Sequence, residues 1–177
     1  MSLILAVLLV LSPLLVHEAG HWAVLRRFNV PTVQFWLGLG PMIFRWRRLR
    51  VGMLPIGGAV VPEETAYRRL APLQRVMVAL AGPAASVLYG VVLLAIAKLN
   101  IDIEGFKGLE LLGMLNLWLA FINLVPVPPL DGFQAWASWR EHKNTPFSPR
   151  VLGFAHRIGS GVVYGAGFFI LATVFFG

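Results

Sequence analysis

Three ionisable residues sit inside the first apolar run of this 177-residue chain: His17, Glu18 and His21, in the order His-Glu-Ala-Gly-His. Positions four apart on a helix share a face. Two neutral imidazoles placed that way can hold one metal ion, and zinc takes nitrogen ligands of this kind. Glu18, one step round the helix, can reach a water on the metal, the H-E-x-x-H arrangement of zinc hydrolases. A lone acid in a membrane span is costly without a partner, and a divalent cation would offset it. The competing reading is a helix whose polar residues pack against partner helices.

A catalytic zinc site needs three protein ligands and one open position. Asp131 is the only acid between Glu110 and Glu141, and it follows the run Asn123-Leu-Val-Pro126-Val-Pro128-Pro129-Leu. Prolines break helical hydrogen bonding. Freed backbone groups at membrane depth are tolerated only when buried in protein or facing a water-filled cavity, and a hydrolytic site needs such a cavity. Taken alone, Asp131 reads as the cap of a short helix over 133–139; beside the two histidines it reads as the third ligand of one zinc ion per chain. Asn123 can hydrogen-bond a substrate carbonyl or a developing oxyanion, or bond a neighbouring helix.

The elements that must position these groups follow from composition. Hydrophobic residues make up 58% of the chain and charged residues only 13%, against about 25% charged in soluble domains. A soluble domain of this size could not hide that much apolar surface. The absence of cysteine excludes disulfide scaffolds, thiol catalysis and Cys-ligated metals. Apolar runs at 3–25, 76–97, 111–130 and 158–177 each reach the length of about 20 residues that crosses a bilayer. The expected fold is an all-α polytopic membrane protein, a single domain over 1–177, with helices at about 3–25, 73–98, 110–130 and 154–176. Between the first two, Phe44 and Trp46 alternate with Arg45 and Arg47, which predicts a small membrane-associated β-hairpin within 32–61, turning at residues 48–50. A short amphipathic helix is expected over 62–70. The pattern Gly161-Val-Val-Tyr-Gly165 is expected to pack within the chain.

The net charge is +7. Lys98 and Lys107 aside, every Lys and Arg falls within 26–75 or 140–157. The positive-inside rule puts both stretches in the cytoplasm, the short connection near 98–110 outside, and both termini outside. The charge marks a membrane face, and no nucleic-acid partner is expected.

His-Glu-Ala-Gly-His with Asn123-x-x-Pro126-x-Pro128-x-x-Asp131-Gly132 resembles the site-2 proteases, intramembrane zinc metalloproteases that cut substrate helices within the bilayer. Ala81-Gly82-Pro83 and Pro55-Ile-Gly57-Gly58 extend the resemblance over most of residues 10–135. It implies zinc on His17, His21 and Asp131, Glu18 as general base and acid, and Asn123 assisting substrate or intermediate. It also implies a β-element to which an unwound single-span substrate adds as a strand. The family usually has Asn shortly after Ala-Gly-Pro, where this chain has Ser86, and Gly82, Ser86 and Gly90 form a small-residue face instead. The chain has room for neither the PDZ nor the CBS domain of many relatives, so control of substrate entry falls to prior trimming or a regulatory membrane partner. The alternative is a non-catalytic metal-binding membrane scaffold or a small transporter subunit. Transporters often carry internal repeats, and none is seen.

Overall fold

The chain runs α1 (Leu3–Arg27), β1 (Thr32–Trp46), β2 (Leu49–Pro62), α2 (Glu64–Arg68), α3 (Pro72–Ala97), α4 (Lys107–Asn123), α5 (Asp131–His142) and α6 (Pro149–Phe176). The computed structural model describes residues 3–99 and 107–176. Most of the connection expected outside the membrane, 100–106, lies outside the described residues.

Helix α3 is the centre of the bundle, packing on α1, α4 and α5. It starts at Pro72 in its first turn, where a missing N–H costs nothing, and Gln74 Oε1 accepts from the Ala71 N–H at 2.9 Å. Small residues set its close contacts. A side chain on Gly20 of α1 would run into Ala81 and Ala85 of α3. One on Gly90 would come within 2.9 Å of the Gly113 carbonyl of α4. Gly20 is therefore a helix-packing residue. Gly82, Ser86 and Gly90 are all buried, whereas Gly161 and Gly165 face open space, where an added side chain would meet nothing. Among the described residues, nothing packs against them.

The four-span, all-α expectation is corrected on two counts. First, segments of β1 and β2 form a four-stranded mixed sheet: residues 35–37 run antiparallel to 58–60 and parallel to 49–51, and 42–46 pair antiparallel with 49–52, so the fold is helical with a substantial β-element. The turn falls at Arg47 and Arg48, with Arg47 at φ +50°, just before the expected 48–50. Phe35 thus lies between Val60 and Leu49 on neighbouring strands, and Gly38 at φ +81° and Gly40 at φ +85° bend β1 between its two paired segments. Second, among the described residues one helix, α3, is long and apolar enough to cross a membrane. The apolar run 111–130 is not one helix. α4 ends at Asn123 and residues 124–130 turn irregularly through the three prolines. At 1.5 Å per residue its 17 residues rise only about 25 Å, short of the roughly 30 Å of hydrocarbon. For the first and last expected spans, the side chains of 3–10 and 166–176 lie outside the described set.

A compact core holds the hairpin to the helices. Leu25, Val30, Leu70 and Val78 are buried together, with Val24, Phe28, Val60, Ala66 and Tyr67 packed against them. It joins the end of α1, strand β2, α2 and the start of α3. Glu63 caps α2, accepting from Thr65 N–H at 3.1 Å and Ala66 N–H at 2.8 Å. The Thr65 hydroxyl and then the Ala66 N–H hold the Glu63 carboxyl below the usual carboxylate range.

Candidate metal centre

The C-terminal half of α1 carries His17, Glu18 and His21, and the first residue of α5 is Asp131. The irregular segment 124–130 turns the chain so that this residue faces α1. Gly132 allows the turn to close, since a side chain there would strike the backbone carbonyls of Leu124 and Val125. The N-cap of α5 is Leu130. The carboxylate of Asp131 is therefore not spent on capping, and it meets the histidines. Its Oδ2 lies 3.0 Å from His17 Nε2 and 3.2 Å from His21 Nε2, and the two Nε2 atoms are 3.3 Å apart.

These spacings test whether zinc fits. Ligand atoms about 2.0–2.1 Å from a tetrahedral zinc lie about 3.3 Å from one another, close to all three observed separations. The tautomers fit as well. His21 Nδ1 donates to the Val78 carbonyl at 2.8 Å, so in the neutral ring the Nε2 lone pair points at Asp131. His17 Nδ1 is 3.0 Å from Ser86 Oγ, a fully buried pair. Two imidazole nitrogens and a carboxylate oxygen converge here, a donor set that needs positive charge between its members.

Helix α3 completes the setting. Val78, Gly82 and Ser86 fall on one face at four-residue spacing and meet the two rings in turn. A side chain on Gly82 would come within 2.8 Å of His17 Nε2 and closer still to His21 Nε2. The small-residue pattern of α3 was legible in the sequence. That its face receives the histidines was not, because packing between α1 and α3 is long-range. Ser86 is thus a hydrogen-bond partner of His17, the kind of contact that orients a ligand ring.

Glu18 lies beside the group, buried under β2. Asn123 Nδ2 donates to the Leu119 carbonyl of its own helix at 2.9 Å. Asn116, hidden in the sequence within an apolar run, is fully buried, with Nδ2 bonded to Leu112 O at 2.8 Å and Oδ1 left without a protein partner.

A helix pair presenting His-x-x-x-His and Asp to one point, beside a buried Glu, makes a three-donor group that could hold a metal ion. The family model for peptidase family M50 matches residues 4–105 and 100–165, and the chain belongs to that family, the site-2 protease family. It is 31% identical to Rip2 of Mycolicibacterium smegmatis over 165 residues, covering 86% of this chain and 62% of the relative. It is 32% identical to zinc metalloprotease MJ0392 of Methanocaldococcus jannaschii over 134 residues, covering 73% of this chain and 32% of that one. The chain thus spans less than two-thirds of the length of these curated relatives. The structure of the site-2 protease from Methanocaldococcus jannaschii superposes with a TM-score of 0.61 at 26% identity, over 98% of this chain and 71% of that one. The family is one of membrane proteins. His17, His21 and Asp131 each offer one ligand atom to a group that could hold a metal ion.

Proposed function

We propose that the chain hydrolyses peptide bonds within or near the transmembrane helices of single-span membrane proteins. The observation that carries this reading is the convergence of His17, His21 and Asp131 to within 3.3 Å beside the buried Glu18. Zinc, when bound, supplies Lewis acidity toward the scissile carbonyl and the attacking water. Glu18 takes the proton of that water and returns it to the leaving amine. Ser86 and the Val78 carbonyl hold the two rings in place. Asn123 spends one N–H on the Leu119 carbonyl, and its second N–H and Oδ1 can serve a substrate. A helical substrate hides its carbonyls, so it must unwind locally, and an edge of the β1–β2 sheet can satisfy the backbone it frees.

The lipid bilayer is the expected surrounding. Ile43, Phe44 and Trp46 are exposed near the hairpin end, and Arg47 and Arg50 lie over the rings of Trp46 and Trp36, a composition suited to the headgroup layer. The two basic stretches touch through the Arg75–Glu141 ion pair, which supports one common side for both. We assign that side to the cytoplasm. Because the chain has no cysteine, a single Ser148→Cys variant tests it. An impermeant maleimide should label inverted vesicles and leave intact cells unlabelled; the opposite pattern would reverse the orientation.

The activity itself is tested with purified protein in bilayers and candidate single-span substrates. Cleavage should stop on chelation and return with stoichiometric zinc. Chelation that removes the zinc and leaves cleavage intact would exclude the reading. It would favour instead the scaffold alternative with a contaminating protease.

A further inference from the structure

Strand β2 passes directly over Glu18. A Cβ added to Gly58 would lie 2.8 Å from Glu18 Oε1, 3.0 Å from its Cγ and 3.1 Å from its Cδ. Gly58 is itself exposed while Glu18 beneath it is only 6% exposed, so one bare glycine separates the carboxylate from the outside. Two residues on, Val60 packs against the core of Leu25, Val30, Leu70 and Val78, which anchors the strand close to Gly58. Gly57, next along, is different in kind. It takes φ +69°, and nothing lies within 4 Å of where its Cβ would be.

We infer that the bare main chain of β2 at Gly58 is the positioning element for Glu18. The missing side chain there leaves the room in which the carboxylate lies. Gly58 touches neither metal nor substrate in this role; it acts through Glu18. The inference deepens the proposed function, since it rests on Glu18 being the general base. It also links two features that the sequence keeps apart, the Gly-Gly step of the hairpin and the His-Glu-x-x-His helix. The strand that offers its edge to an unwound substrate is the one that orients the proton acceptor.

The test is Gly58→Ala in the full chain, purified in bilayers. A new Cβ at 2.8–3.1 Å from three Glu18 atoms must displace that side chain, and displacements of about 1 Å at a reacting group cost on the order of 10²-fold in rate. The expected result is a fall in kcat of about 10²-fold with KM and zinc stoichiometry unchanged. Adding Gly58→Ala to a Glu18→Gln background should produce no further loss, because a residue that works only through Glu18 has nothing left to act on. Wild-type kcat in Gly58→Ala, or an additive loss in the double variant, would overturn the inference. If Gly58→Ala does not fold, the pair Glu18→Asp/Gly58→Ala removes one methylene where the new Cβ intrudes and should return as zinc-bound protein; failure to do so also overturns it. An inactive wild-type chain would count against the proposed function instead, so the two failures are separable.

Discussion

Glu18→Gln is expected to bind zinc at wild-type stoichiometry and to lose about 10²–10⁴-fold in kcat, the usual worth of a general acid–base group. The amide is nearly isosteric with the carboxylate but cannot accept the proton of the attacking water. The three-donor group of His17, His21 and Asp131 does not include Glu18, so the metal should stay. The amide has the shape of the carboxylate, so the side chain should stay near its place under β2. Zinc by elemental analysis and cleavage of a single-span substrate on the same sample decide the matter. A fully loaded, purified Glu18→Gln protein that cleaves at the wild-type rate would remove Glu18 as the base. Loss of zinc and cleavage together would make Glu18 part of the metal's support, and the mechanism would need another proton acceptor.

The difference between what the sequence showed and what it hid follows from the range of each interaction. His17 and His21 were legible because their geometry is local: a four-residue step on one helix. Asp131 was legible because acids are scarce in apolar sequence and this one follows three prolines. The count of spans was overstated because a hydropathy window sums side chains and is blind to the backbone. Residues 124–130 are apolar enough to extend a helix, yet Pro126, Pro128 and Pro129 cannot continue one, and α4 stops at Asn123. The hairpin was underestimated for a related reason. Its alternation is clear around Phe44 and Trp46 but lapses at Gly38 and Gly40, where β1 bends from one strand pairing to the next. The contacts from Ser86 to His17 and from Gly58 to Glu18 join residues far apart in sequence, and only the packed fold reveals them.

Gly82→Ala is expected to abolish zinc binding although Gly82 is no ligand. Its Cα faces the two rings so closely that a methyl group would overlap His21 Nε2 and stand 2.8 Å from His17 Nε2. Neither neighbour can yield cheaply. Each ring is pinned at its far nitrogen, to the Val78 carbonyl and to Ser86 Oγ, both on α3 itself. Moving a ring away from position 82 therefore strains or breaks the bond that sets its tautomer. Nor can the helices part, because Gly20 lies against Ala81 and Ala85 just beside the site. Loss of such outer partners alone typically costs 10–100-fold in metal affinity, and here the ligand atoms themselves are displaced, so the expected loss is larger. The benchmark is Asp131→Ala, which deletes a ligand outright, and zinc stoichiometry in detergent should fall as far in Gly82→Ala as in that variant. A helical circular-dichroism spectrum and melting profile close to wild type would show that the bundle survives and that the defect is confined to the metal group. Full zinc occupancy in Gly82→Ala would mean that α3 does not press on the rings as described, and the small-residue face would then have to be explained by helix packing alone.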